Sequence, residues 1–119
     1  MTPRKIAEIV KMIPKECSPR LGGSCSLYFR GLVDSYRDID IIINKGTLDK
    51  INLLFPKIEL QHEGINKRIK YCIDGREVDI LESLFPITHI EMSVMGIYFE
   101  IEEHVTEAKK MINDYLNKI

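Results

Sequence analysis

The segment that most constrains the fold is Asp38-Ile39-Asp40, which leads directly into a run of three isoleucines at positions 41–43. Side chains alternate between the two faces of a strand, so both aspartates project to one side of a sheet while Ile39 projects to the other. The unbroken apolar run indicates burial on both faces and hence a central strand. Two carboxylates on one face repel each other, and a cation relieves that repulsion; hard oxygen ligands of this kind suit magnesium. We therefore expect a metal-binding edge at Asp38 and Asp40.

A glycine-rich turn lies upstream of this strand, at Gly22, Gly23 and Ser24. Glycine permits backbone conformations and close approaches that a side chain would block. Ser24 is expected to begin a helix over residues 24–33, where unpaired backbone N–H groups attract phosphate. A phosphate-binding turn beside a metal-binding carboxylate pair describes a site for a nucleoside triphosphate, with Gly22, Gly23 and Ser24 as nucleotide-binding residues.

The order and spacing of these two motifs resemble a known signature. Gly22-Gly23-Ser24, thirteen intervening residues and Asp38-Ile39-Asp40 together resemble the polymerase-β-like nucleotidyltransferase superfamily. Within it, the segment is similar to the abortive-infection toxin branch, to minimal nucleotidyltransferase-domain proteins and to CCA-adding tRNA enzymes. The resemblance implies transfer of a nucleoside monophosphate from an NTP substrate to a hydroxyl acceptor on a protein, an RNA or a small molecule. It also implies two Mg²⁺ ions as cofactors and a third strand carboxylate that completes the metal site.

Two acidic residues compete for the role of third carboxylate. Glu77 and Asp79 share one face of a predicted strand over residues 76–81. Asp79 stands between Val78 and Ile80, which is the apolar–acid–apolar setting that the family shows, and we favour it over Glu77. The resemblance thus implies that Asp38, Asp40 and Asp79 are the catalytic residues and the metal ligands.

Lys70 is the remaining candidate nucleotide-binding residue. Asp74-Gly75 is the strongest hairpin signal in the chain. If these two residues form the loop, residues 73 and 76 pair, and counting outward sets Lys70 opposite Asp79. Lys70 then either forms a cross-strand salt bridge with Asp79, or has a functional role in which it lies beside the triphosphate or restrains Asp79 before metal binds. The sequence leaves both interpretations open.

The other elements complete an α+β pattern. A first helix begins at Pro3, carries an apolar stripe that includes Ile6 and Val10, and ends at Pro14. The strand before the glycines must be very short, because only 19–21 are available for it. Further predicted elements are a short helix from an N-cap at Thr47 through Phe55, which Pro56 ends, strands over 57–62, 68–73 and 97–101, and a final helix from about Glu103. The sequence therefore predicts a single-domain nucleotidyltransferase-like fold over residues 1–119, with a mixed β-sheet flanked by helices.

Composition limits the partners and the compartment. The chain of 119 residues has 17 basic and 18 acidic side chains, which argues against general nucleic-acid binding. The sparse cysteines Cys17, Cys25 and Cys72 are typical of reduced thiols rather than a disulfide framework. No apolar run approaches the ~18 residues of a membrane span. We expect a cytoplasmic protein with no membrane partner.

A rival hypothesis is a catalytically silent nucleotidyltransferase fold that serves as a binding or regulatory module. The weak strand before Gly22 and the lack of an acceptor domain favour it. The presence of all three acidic residues disfavours it, because a silent site has no need of a repulsive cluster. If the chain is an enzyme, we expect a helical protein partner or a homodimer to supply the acceptor surface.

Overall fold

The computed structural model describes residues 2–54, 59–63, 66–73, 76–83, 89–102 and 116–118. Several predictions concern residues or side chains outside this set. They are the turn at Asp74-Gly75, the end of the third helix at Phe55 and Pro56, the strand beginning at Lys57, and most of the helix from Glu103.

The helices begin and end at residues with recognisable capping roles. Pro3 opens the first helix, and the Thr2 hydroxyl accepts a hydrogen bond from the Lys5 amide at 3.2 Å. The predicted apolar stripe is buried, as at Ile6 and Val10. The described helices are α1 (Pro3–Met12), α2 (Gly23–Phe29) and α3 (Leu48–Leu54), and a 3₁₀ turn (Lys15–Cys17) follows α1.

The strands in the described ranges form one seven-stranded mixed sheet with the order β3-β4-β5-β2-β1-β7-β6. Its strands are β1 (Arg20–Gly22), β2 (Ile39–Ile43), β3 (Glu59–Glu63), β4 (Asn66–Ile73), β5 (Arg76–Glu82), β6 (His89–Val94) and β7 (Ile97–Glu102). The pairs β1·β7 and β2·β5 are parallel, and the other pairs are antiparallel. This arrangement confirms the predicted α+β class with a mixed sheet.

The strand β2 holds the central position that its isoleucine run predicts. Ile39, Ile41 and Ile43 are fully buried, in one cluster with Leu21 of β1 and Ile80 of β5. The predicted burial on both faces is only half right, because residue 42 is partly exposed. It shares its face with Asp40, and that face carries the polar side chains of the candidate site.

The second helix is shorter than predicted. The helix predicted over 24–33 already ends at Phe29, because Gly31 takes the left-handed conformation with φ 74°. Leu32 lies beyond that end and is 40% exposed.

The third helix begins directly after Thr47, the predicted N-cap residue. The Thr47 hydroxyl donates to the Asn44 carbonyl. The amide of Leu48, the first residue of the helix, donates to a buried carboxylate oxygen of Glu82 at 3.0 Å.

The connection between α1 and α2 contains the short strand that the sequence predicts. β1 has three residues, Arg20–Gly22, and it pairs with both β2 and β7. β6 lies in the stretch 82–95, where the residue pattern leaves open a helical turn or a strand. No helix in the described part of the chain is long and apolar enough to cross a membrane.

Candidate functional site

The register of three strands builds the site. Gly22 of β1 pairs with Asp40 of β2, and Asp40 pairs with Asp79 of β5. Paired residues on adjacent strands project to the same face, and adjacent strands lie about 4.8 Å apart. Asp40 and Asp79 therefore stand side by side on one face, while Ile39 and Val78 are buried on the other. The structure thus brings together two of the three predicted carboxylates at the end of β1.

Asp79 is held in an environment that is unfavourable for a free carboxylate. The residue is 8% exposed, and its Oδ1 atom has no hydrogen-bond partner among the described residues. Burial raises its pKa above the ordinary value, while the charges of Lys70 and Arg68 oppose the rise. A buried, unsatisfied carboxylate oxygen costs free energy. A bound cation would satisfy it.

The backbone at Gly23 lies directly against Asp40. Gly23 is the first residue of α2 and has φ 60°. A Cβ atom built on it would collide with the Oδ2 atom of Asp40. The glycine pair predicts a close approach by another group, and the group that approaches Gly23 is the Asp40 carboxylate. The glycine turn and the carboxylate pair therefore form one continuous surface.

Asp38 and Ser24 lie at the margin of this surface. Asp38 directly precedes β2 and is exposed, and its charge contributes to the raised pKa of Asp79. The Ser24 hydroxyl accepts a hydrogen bond from the Arg37 amide at 3.4 Å. That contact joins the start of α2 to the residue before Asp38. The Ser26 hydroxyl donates to the Gly23 carbonyl at 2.7 Å, which ties the turn to its own helix.

The donor set suits a hard divalent cation. Carboxylate oxygens are the ligands that Mg²⁺ prefers, and the Oδ1 of Asp79 has no hydrogen-bond partner among the described residues. In the described ranges, no three His, Cys, Asp or Glu side chains are already gathered into a metal-binding group. The convergence of Asp38, Asp40 and Asp79 on two ions stays a prediction.

Lys70 takes the predicted position opposite Asp79, since the two residues pair in the β4·β5 register. Its ammonium group lies 3.2 Å from an oxygen of Glu77, whose side chain is 54% exposed. The cross-strand salt bridge therefore exists, with Glu77 as the partner. The two candidates for the third carboxylate differ in their surroundings. Asp79 is buried beside Asp40, whereas Glu77 is half exposed and forms an ion pair with Lys70.

Sequence reasoning did not connect Cys25 with the site. Cys25 is fully buried in α2, and burial together with the charge of Asp40 raises the pKa of its thiol to about 12. No motif signalled this neighbour, because the contact arises only when α2 folds back over β2. A cluster at Tyr36 and Arg76 was missed for the same reason: Arg76 stacks on the Tyr36 ring.

The Cys25 thiol is expected to resist alkylation in the folded protein. With a pKa of about 12, only ~10⁻⁴ of it is thiolate at pH 8, and the thiolate is the reactive species. In a Cys17→Ser, Cys72→Ser background, we expect modification by iodoacetamide at pH 8 only after urea unfolds the chain. Rapid labelling of the folded variant at its Cys25 would contradict the burial described above.

Comparisons with known proteins address the fold. No protein-family model matches the chain, and no curated protein matches its sequence. Among solved structures, the chain is similar to the crystal structure of a "putative nucleotidyltransferase" from Thermotoga maritima, with a TM-score of 0.64 and 17% sequence identity. The match covers 98% of this chain and 91% of the other. The chain thus has a nucleotidyltransferase-like fold.

Proposed function

We propose that the protein is a metal-dependent nucleotidyltransferase that transfers a nucleoside monophosphate from an NTP to a hydroxyl acceptor. One observation carries the proposal: Asp40 and Asp79 stand in register on one sheet face, with the Oδ1 of Asp79 unsatisfied and the Gly23 backbone against Asp40. A structural protein gains nothing from this arrangement, because it combines the desolvation of one carboxylate with repulsion by its neighbour. The likeness in fold to the T. maritima protein supports the same class.

In this proposal the acidic residues and the glycine turn have separate roles. Asp38, Asp40 and Asp79 would hold Mg²⁺, which on binding activates the attacking hydroxyl and stabilises the departing pyrophosphate. The backbone of Gly22 and Gly23, with the Ser24 hydroxyl, would hold the β and γ oxygens and so orient the α-phosphorus towards the acceptor. The protein contributes position and charge, without a covalent nucleophile.

Lys70 completes the proposed triphosphate site. Its ammonium is paired with Glu77 in the metal-free chain, and the lysine side chain is only 31% exposed. A partly buried lysine held by one exposed carboxylate can exchange that partner for a phosphate oxygen at little cost. We assign Lys70 to triphosphate binding on this ground. The proposal also includes ATP as a nucleotide substrate, and a helical protein partner or a second copy of the chain that supplies the acceptor surface.

Calorimetry with each of the four nucleoside triphosphates tests the proposal. Titrations in Mg²⁺ and in EDTA should differ, with binding at least about tenfold tighter in Mg²⁺ because the carboxylates repel a triphosphate that lacks the cation. Release of pyrophosphate in the presence of a hydroxyl acceptor would then show transfer.

Two outcomes would decide against the enzyme. Equal binding in Mg²⁺ and EDTA would mean that the carboxylates are not ligands. Mg²⁺-dependent binding that never yields pyrophosphate with protein, RNA or small-molecule acceptors would favour the silent binding module instead.

A further inference from the structure

The segment that carries Asp38 has no regular secondary structure of its own. Residues 30–38 connect α2 to β2. Gly31, near its start, has φ 74°, and a Cβ built on it would meet no atom within 4 Å. The backbone amides of residues 30–32 donate to carbonyls of α2, so the start of the segment is held by the helix end. Beyond residue 32, the path of the chain to Asp38 depends on contacts made further along.

Two ring contacts fix the segment at Tyr36. The Tyr36 ring packs edge-on against Tyr28 of α2, with 5.0 Å between the ring centroids. On β5, the Arg76 guanidinium carbon lies 5.0 Å from the centroid of the Tyr36 ring. Tyr36 precedes Asp38 by two residues, and Arg76 precedes Asp79 by three. One cation–π contact therefore joins the segment that carries Asp38 to the strand that carries Asp79.

Arg37, the residue between Tyr36 and Asp38, forms a hydrogen bond to α2. The Arg37 amide donates to the Ser24 hydroxyl at 3.4 Å, a long and weak bond. Such a bond holds only if its neighbours are already in place. The Tyr36 ring, packed against Tyr28 and covered by Arg76, provides that support.

We propose that Tyr36 and Arg76 form a clasp that positions Asp38 relative to Asp79 and thereby sets the affinity of the carboxylate site for a divalent cation. The role of Asp38 as a ligand rests on the proposed function, whereas the clasp itself is a contact of the metal-free chain. Tyr36 and Arg76 are positioning residues, since they act on the cation through Asp38. The guanidinium plane and the aromatic ring make the contact, so a change of either partner breaks it.

Amide hydrogen exchange in the metal-free protein tests the clasp directly. In Arg76→Ala, we expect the Arg37 amide to exchange about fivefold faster, the factor that corresponds to one cation–π contact. Tyr36→Leu also removes the packing of the ring against Tyr28, so it should accelerate exchange at least as much. The double variant should exchange no faster than Tyr36→Leu alone, because that change already removes the contact with Arg76.

A matched control removes an arginine elsewhere. Arg4 of α1 is exposed and pairs only locally with Glu8 among the contacts described for it, so Arg4→Ala changes the net charge equally without touching the clasp. Circular dichroism would show that each variant is folded. Unchanged exchange at Arg37 in Arg76→Ala, or an equal change in Arg4→Ala, overturns the clasp.

Binding of Mn²⁺, followed by electron paramagnetic resonance, tests the consequence for the site. We expect the affinity for Mn²⁺ to fall about fivefold in Arg76→Ala, at least as much in Tyr36→Leu, and to be unchanged in Arg4→Ala. A wild-type chain that binds no Mn²⁺ refutes the cation site of the proposed function and the positioning role with it. Equal Mn²⁺ affinity in the wild type and Arg76→Ala refutes the positioning role and leaves the proposed function standing.

Discussion

Replacing Asp79 by asparagine is expected to stabilise the metal-free protein and to weaken Mg²⁺-dependent triphosphate binding by at least about 100-fold. The carboxylate is 8% exposed and has an oxygen without a hydrogen-bond partner in the described part of the chain. The neutral side chain removes a desolvated charge that lies beside Asp40, and we expect a gain of about 1 kcal/mol in the free energy of unfolding. The same change removes a proposed Mg²⁺ ligand, so the affinity for the triphosphate in Mg²⁺ should fall.

Glu77→Gln provides the matched control. Glu77 lies on the same strand and the same face as Asp79, but it is half exposed and paired with Lys70. Its replacement should change the free energy of unfolding by less than about 0.5 kcal/mol, as expected for an exposed ion pair. Urea titrations in EDTA measure stability, and calorimetry in Mg²⁺ measures binding. A larger loss of binding in Glu77→Gln than in Asp79→Asn would make Glu77 the third carboxylate.

The stability difference has a defined pH dependence. Because burial raises the pKa of Asp79 in the folded chain, the folded wild type binds a proton more readily than the unfolded chain does. The wild type therefore loses stability as pH rises through the folded pKa of Asp79, whereas Asp79→Asn does not. In EDTA, the advantage of the variant should be largest at neutral pH and should vanish in acid. A constant difference across this range would contradict the raised pKa.

The sequence predicted the parts of the fold that depend on local periodicity. Alternation and the apolar run predicted the strand at Ile39–Ile43 and its central position. Counting outward from the hairpin turn predicted the pairing of Lys70 with Asp79. Both rules depend on residues that are close together in the sequence. The glycine pair also correctly predicted an unusual backbone conformation, since Gly23 has a positive φ that residues other than glycine rarely adopt. Local rules were sufficient where one residue type has one strong conformational preference.

The parts that the sequence did not predict arise from contacts between distant segments. The end of α2 was placed too late, since Gly31 terminates the helix through a left-handed conformation that an apolar stripe does not report. The cap of α3 comes from Glu82, 34 positions from Leu48 along the chain. The stacking of Arg76 on Tyr36 likewise joins positions far apart in sequence. No periodicity links such pairs, so only the folded chain shows them.

Gly23→Ala is expected to be among the most damaging single substitutions at the site. At φ 60° an alanine costs about 1–2 kcal/mol in backbone strain, and its Cβ would also collide with the Asp40 carboxylate. Overpacking of this kind adds about 1–3 kcal/mol, so we expect a total loss of about 3 kcal/mol in the free energy of unfolding. Displacement of Asp40 should also abolish the Mg²⁺-dependent part of triphosphate binding.

Two further variants separate strain from collision. Gly31→Ala places the same residue at φ 74°, where nothing lies within 4 Å of the new Cβ, so it should show the strain alone, about 1–2 kcal/mol. Asp40→Ala removes the atom that the new Cβ would meet, and in that background Gly23→Ala should cost no more than Gly31→Ala does. Urea unfolding in EDTA measures the wild type, the three single variants and the double variant that combines Asp40→Ala with Gly23→Ala. If Gly23→Ala costs no more than Gly31→Ala in the wild-type background, the Asp40 carboxylate does not lie against the glycine turn, and the contact that unites the proposed phosphate and metal sites is absent.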